Sequence, residues 1–234
     1  MTKYIPNTIT LINLLSGCMA IICACHPLEE YYAVPAYQYA FAFIVLASTA
    51  DFLDGLSARL LGKYSPVGKQ LDSLSDLVSF GVAPAILLYN MLHTAGTPYW
   101  VCLLCLCIPV CGALRLARFN IDTGQTHFFH GLPIPSAALF CVGLASMLDS
   151  SKGVSLYAAA GCIVAISLLM LAPVRMYSFK LTSIRSKEVL LPISLVLVGI
   201  ISICSLGWQG LFYTVAYYAV SAFISNLFIQ TQEN

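Results

Sequence analysis

With 234 residues, 59% of them hydrophobic and only 9% charged, the chain has too little polar surface to clothe a water-soluble domain. A formal net charge of +1 excludes neither anionic nor cationic partners by itself, so the placement of the charges matters more than their sum. The composition predicts a chain solvated by lipid.

Apolar stretches long enough to cross a hydrocarbon core recur from end to end. They read as eight spans, at roughly 8–25, 37–61, 68–92, 98–118, 133–149, 154–174, 189–206 and 209–228. The expected fold is therefore an all-α integral membrane protein of about eight transmembrane helices, with 1–234 forming a single polytopic domain. The first span follows a lone Lys3, which also fits a cleaved signal peptide. Asn7, Asn13 and Gly17 interrupt the run and no clean small-residue cleavage site follows, so it reads as a retained helix.

Orientation follows from the cations. If Lys3 is cytosolic and the spans alternate, then Arg59, Lys63, Lys69, Arg115, Arg118, Arg175, Lys180, Arg185 and Lys187 share the cytosolic side, and Lys152 alone falls outside. Both termini are then cytosolic, while Glu29, Glu30 and Asp149 lie in external loops. The connector holding Arg175, Lys180, Arg185 and Lys187 reads as a contact for anionic lipid.

Most of the ten cysteines, including Cys102, Cys105, Cys107 and Cys111, fall inside spans, where cysteine acts as a small apolar filler. The Cys-x-x-Cys pair lacks the second pair and the histidine spacing of a zinc site. His26 and His93 lie near external span ends, and His127 and His130 in a cytosolic connector. No internal repeat, soluble-type glycine loop or sign of a nucleic-acid partner is visible.

The informative exception is "DFLDGLSARLLGKYSPVGKQLDSLSD", Asp51 to Asp76. At about 100° per residue, Asp51, Asp54, Gly55 and Ala58 share one helical face, and Gly68, Asp72 and Asp76 share another on the next span. The connector "GKYSPV" is short, which predicts antiparallel neighbouring helices. Asp51 and Asp76 then lie on the order of 12–15 Å deep, with Asp54 and Asp72 shallower. Four carboxylates converging in a low dielectric repel one another unless a positive charge sits among them, and aspartate oxygens suit Mg²⁺ or Mn²⁺. Small residues at 55, 58 and 68 leave room for a ligand to approach, or simply let helices pack closely.

The pattern Asp51-x-x-Asp54-Gly55-x-x-Ala58-Arg59, eight residues, then Gly68-x-x-x-Asp72-x-x-x-Asp76 resembles the full signature of the CDP-alcohol phosphatidyltransferase family. "IPNTITLINLLSG", "SFGVAP", "CGALRLARFNID" and "FHGLPIPSAA" make the chain similar to the serine-using, integral-membrane branch of that family, up to about Ala138. The resemblance implies the family's membrane fold and transfer of a phosphatidyl group from CDP-diacylglycerol to the hydroxyl of L-serine, giving phosphatidylserine and CMP. It also implies a site on the cytosolic side of the cell (inner) membrane, one or two Mg²⁺ or Mn²⁺ ions, and a homodimer. Carried over by position, Asp51, Asp54 and Asp72 are metal ligands. Asp76 is the general base, with a possible share in a second metal. Asp54, Gly55, Ala58, Arg59 and Gly68 are the nucleotide side of the site, Arg59 readable either as a partner for a phosphate or as a positive-inside anchor. Serine's carboxylate needs a cation, for which Arg115 and Arg118 are the candidates, each also readable as a topology-setting charge. Two alternatives remain: a sister enzyme with glycerol 3-phosphate or inositol phosphate as acceptor, which calls for a denser basic cluster, and a cation transporter, which calls for paired broken helices.

Overall fold

Backbone amides in lipid must find partners within their own segment, and helices answer that demand at every expected span. The computed structural model describes residues 5–62, 65–121, 129–149, 155–176 and 186–233. Helices α1 (Ile5–Cys25) and α2 (Ala36–Leu61) are joined by a small antiparallel hairpin of β1 (Glu30–Tyr31) and β2 (Val34–Pro35). A helical rod follows over Pro66–Thr94, made of α3 (Pro66–Asp76), a π-helical segment Leu77–Val82 and α4 (Ala83–Thr94). The next rod, Tyr99–Ile121, comprises α5 (Tyr99–Cys102), a 3₁₀ segment Leu103–Leu106 and α6 (Cys107–Ile121). Strands β3 (Phe129–His130) and β4 (Arg175–Met176) pair antiparallel and bracket α7 (Ile134–Asp149) and α8 (Leu156–Leu171). A 3₁₀ turn at Gly207–Gln209 links α9 (Ser186–Leu206) to α10 (Gly210–Glu233).

Five helical runs among the described residues are long and apolar enough to cross a membrane: Pro6–Cys25, Ala36–Leu61, Pro66–Thr94, Tyr99–Ile121 and Ile193–Ile224. The last is not one rod. Gly207 turns through φ +59°, Ser194 Oγ lies 2.9 Å from the Tyr217 hydroxyl, and Gly210 sits hard against the Ser202 carbonyl, so α10 doubles back on α9. Helices α7 and α8 have 16 residues each, a rise of about 24 Å against a hydrocarbon core of about 30 Å. They are shorter than the sequence reading of full spans implies.

Small residues set the packing. Ala20 and Ala24 on α1 and Ala36, Ala40 and Ala47 on α2 are fully buried, and α1 runs along α2 with these faces lodged in the core. Helix α1 also packs on α3, the π segment and α4. The sequence predicts α2 and α3 as close neighbours, but each leans on α1 rather than on the other. The space between them is where the aspartates point.

Cys102, Cys105, Cys111 and Cys141 are buried in the core, and every described cysteine is a free thiol. Lys3, Lys63, His127, Lys152, Lys180 and Arg185 lie outside the described residues.

Candidate active site

The site begins with a helix end and a helix start. Gly62 adopts the left-handed conformation, φ 60° and ψ 28°, and its N–H donates to carbonyls of the last turn of α2. Ser65 caps α3, its Oγ accepting from the Gly68 N–H at 2.9 Å, and Pro66 occupies the first turn, where a missing N–H costs nothing. These two signals set where α2 stops and α3 starts, and so which turns of the two helices confront each other.

What confront are carboxylates. Asp51, Asp72 and Asp76 each offer an oxygen, and the three oxygens lie within 4.8 Å of one another. Asp54 stands outside this trio, although it is buried and electrostatically coupled to Asp51 and Asp72. Its side-chain neighbour is Thr10 of α1. Asp54 Oδ2 and Asp72 Oδ1 are buried without any hydrogen-bond partner. Orphaned anionic oxygens converging in a lipid-solvated bundle are strongly unfavourable on their own. An all-oxygen donor set of this kind fits a hard divalent cation, so the residues present suit the metal that the sequence reading expects.

Arg115, on α6, faces the same space. Its charge couples to Asp76 and Asp51, and its Nε is buried with no hydrogen-bond partner. Arg118 lies one turn further along α6 and is exposed. Of the two candidates, the fold brings Arg115 to the aspartates. Arg59 is exposed, and its Nε donates to the Gly55 carbonyl at 3.0 Å, within its own helix. Ala58 is half-buried.

The small residues divide. Nothing lies within 4 Å of where a Cβ would stand on Gly55, so the expected space exists there. At Gly68 a Cβ would come within 2.9 Å of Ser65 Oγ and 3.0 Å of Asn7 Oδ1. Its smallness already serves the helix cap and the first turn of α1.

Several contributors carry no motif. Asn13 of α1 donates from Nδ2 to Asp76 Oδ1 at 3.1 Å. In the sequence it shows only as a polar interruption of an apolar run, though that is itself a sign of function within a membrane. Tyr218 of α10 is buried beside Arg115, and nothing in "AYYAVSA" distinguishes it from its neighbours. The "RFN" of α6 does mechanical work: Asn120 Nδ2 donates to Ser73 Oγ at 2.8 Å, and Lys69 Nζ donates to the Asn120 carbonyl at 2.9 Å. Those bonds hold the end of α6, and with it Arg115, against α3.

Residues 3–198 match the model of the CDP-alcohol phosphatidyltransferase family. The chain belongs to that family. A Methanocaldococcus jannaschii protein named CDP-diacylglycerol–serine O-phosphatidyltransferase is 40% identical over 146 residues, 62% of this chain and 62% of that protein. A Bacillus subtilis protein of the same name is 37% identical over 179 residues, 76% of this chain and 92% of that one. An archaetidylserine synthase of Methanothermobacter thermautotrophicus is 35% identical over 177 residues, 73% of this chain and 68% of its own length. The family match ends at residue 198, so α10, which carries Tyr218, lies beyond it.

Proposed function

We propose that the chain transfers the phosphatidyl group of CDP-diacylglycerol to the hydroxyl of L-serine, releasing CMP. The observation that carries this reading is the convergence of Asp51, Asp72 and Asp76, at family signature positions, opposite the half-buried Arg115. The relatives' names supply serine as the acceptor.

Asp51, Asp54 and Asp72 would hold one or two Mg²⁺ or Mn²⁺ ions with a share from Asp76, whose oxygen lies within the converging trio from which Asp54 stands apart. A bound divalent ion supplies neutralisation of the diphosphate and of the departing CMP. The protein's own part is proton transfer and orientation. Asp76 takes the proton of the serine hydroxyl as that oxygen forms its bond to the phosphorus bearing the diacylglycerol; the bond from that phosphorus to the CMP oxygen breaks, and CMP leaves. Arg115 pairs with the serine carboxylate through a charge-assisted bond. The open face at Gly55 receives the nucleotide, with Arg59 swinging from its own helix to a phosphate.

The cationic end of the bundle, and with it the site, faces the cytoplasm. The lipid donor enters sideways between α2 and α3, its acyl chains still in the bilayer. A homodimer is the assembly we propose, on the strength of the family resemblance.

The test is a product assay in membranes of a host lacking its own enzyme. CDP-diacylglycerol is supplied with labelled serine, inositol, inositol phosphate or glycerol 3-phosphate, with Mg²⁺, Mn²⁺ or excess EDTA. Phosphatidylserine formed with serine alone, lost in EDTA and restored by either ion, is the expected result. Product from a phosphorylated acceptor instead would move the assignment to a sister activity.

A further inference from the structure

Asn13 has no exposed surface, and its amide is only half used. Nδ2 donates to Asp76 Oδ1 at 3.1 Å, which fixes the way the amide faces, since only its N–H groups can serve a carboxylate. Asn13 Oδ1 is left buried without a hydrogen-bond partner. An apolar side chain would leave no orphaned acceptor, so stability alone does not account for an asparagine here.

The backbone at the same residue is also tied down. Ser79 Oγ donates to the Asn13 carbonyl at 3.0 Å. That contact requires α1 to approach closely, and Gly17 permits it: a Cβ there would stand 2.2 Å from Ser79 Oγ and 2.7 Å from Ser79 Cα. Ser79 lies in the π segment that begins directly after Asp76. The i→i+5 bonding of that segment re-aims the helix just past the carboxylate, an irregularity often found at functional sites.

Asp76 is thus gripped at one oxygen by a residue that is itself anchored next to Asp76 in the chain. We propose that Asn13 is a positioning residue, which fixes the carboxylate plane of Asp76 so that its other oxygen meets the acceptor hydroxyl. The inference rests on the role of base given to Asp76 above.

The experiment compares the parent with Asn13→Leu, Asn13→Thr and Ser79→Ala in detergent or nanodiscs. In Asn13→Leu, kcat with serine should fall about ten- to a hundredfold, the cost of a base displaced by a fraction of an ångström to an ångström. KM for CDP-diacylglycerol and the Mn²⁺ affinity, read by electron paramagnetic resonance without turnover, should stay within about twofold. Asn13→Thr keeps a hydroxyl donor and should recover part of kcat. Ser79→Ala, which frees the backbone but keeps the amide, should lower kcat by a smaller factor, and it carries the test if Asn13→Leu does not accumulate. Unchanged kcat in folded Asn13→Leu, or a parallel loss of kcat, lipid affinity and Mn²⁺ affinity, would overturn the proposal. If the parent turns over no acceptor, the functional reading fails separately. The carboxylate infrared band that disappears in Asp76→Asn must then still shift in Asn13→Leu, and a band that does not move overturns the positioning role too.

Discussion

Asp76 accepts a bond from Asn13, whereas Asp54 and Asp72 each keep a buried oxygen that nothing in the protein satisfies. A carboxylate held by a neutral amide is oriented by it; orphaned carboxylates call for a cation. Asp54→Asn and Asp72→Asn should therefore weaken Mn²⁺ and nucleotide binding, while Asp76→Asn should mainly lower kcat, by about 10²–10⁴ for loss of a general base. Equal loss of donor affinity in all three would remove the distinction. Gly55 offers a second contrast. A Cβ there meets nothing, and alanine is the better helix former by about 1 kcal/mol, so Gly55→Ala should leave the melting temperature level or raised. If the nucleotide occupies that face, the same variant should still raise KM for CDP-diacylglycerol, and an unchanged KM would place the nucleotide elsewhere. The arginines separate in the same manner. Arg115→Ala should raise KM for serine about ten- to a hundredfold, matching a charge-assisted bond of about 1.5–3 kcal/mol, with little change toward the lipid donor. Arg115→Lys should recover part of this, because a point charge lacks the two-pronged guanidinium contact. Arg118→Ala, at an exposed position, should leave the serine KM near the parent value.

At the scale of elements, the close approaches that shape the bundle depend on a few glycines. A Cβ on Gly143 of α7 would stand 2.3 Å from the Phe212 backbone nitrogen and 2.9 Å from its Cα, so relief requires α10 to move rather than a side chain to turn. Gly143→Ala should cost about 1–3 kcal/mol and lower the melting temperature. Because α10 carries Tyr218 to Arg115, that variant should also raise the serine KM more than the donor KM. A stable variant with unaltered kinetics would show that α10 does not support the acceptor side. The helices and the four aspartates are legible in the sequence because hydropathy and charge in lipid leave few alternatives. Other elements escape for stated reasons. "LVSFGV" reads as a mostly apolar stretch with one serine whether its bonds run i→i+4 or i→i+5, so the π segment has no pattern of its own. Connector length predicts that α2 and α3 are near, but not that a third helix, α1, takes the contacts of both. Asn13 and Tyr218 reach the site from α1 and α10, far from the motif in sequence, and only the packing reveals them.

Over the whole molecule, the two ends of the bundle differ in chemistry. Arg59 at the end of α2 and Lys69 at the start of α3 share one end, and the Lys69–Asn120 bond brings the end of α6, with Arg118, to it. The opposite end carries the β1–β2 hairpin with Glu29, Glu30 and the exposed Tyr31 and Tyr32. There the Tyr37 hydroxyl donates to Asp149 Oδ2 at 2.6 Å, tying the end of α7 to the start of α2. Between the ends, exposed Leu15, Ile22, Leu46, Phe52, Val110 and Leu168 present apolar surface of the kind lipid solvates. Cations gather on the cytosolic side of membrane proteins, and tyrosines at the interfaces, so the aspartate end should face the cytoplasm. Cys25, exposed at the end of α1 beside the hairpin, is a native reporter for the other side. In intact cells a membrane-impermeant maleimide should modify Cys25, and a cysteine placed by Val67→Cys, an exposed position in the first turn of α3, should react only after the membrane is opened. The reverse pattern would put the aspartates outside, away from cytosolic nucleotide and serine, and would undo the orientation together with the route of substrate entry that depends on it.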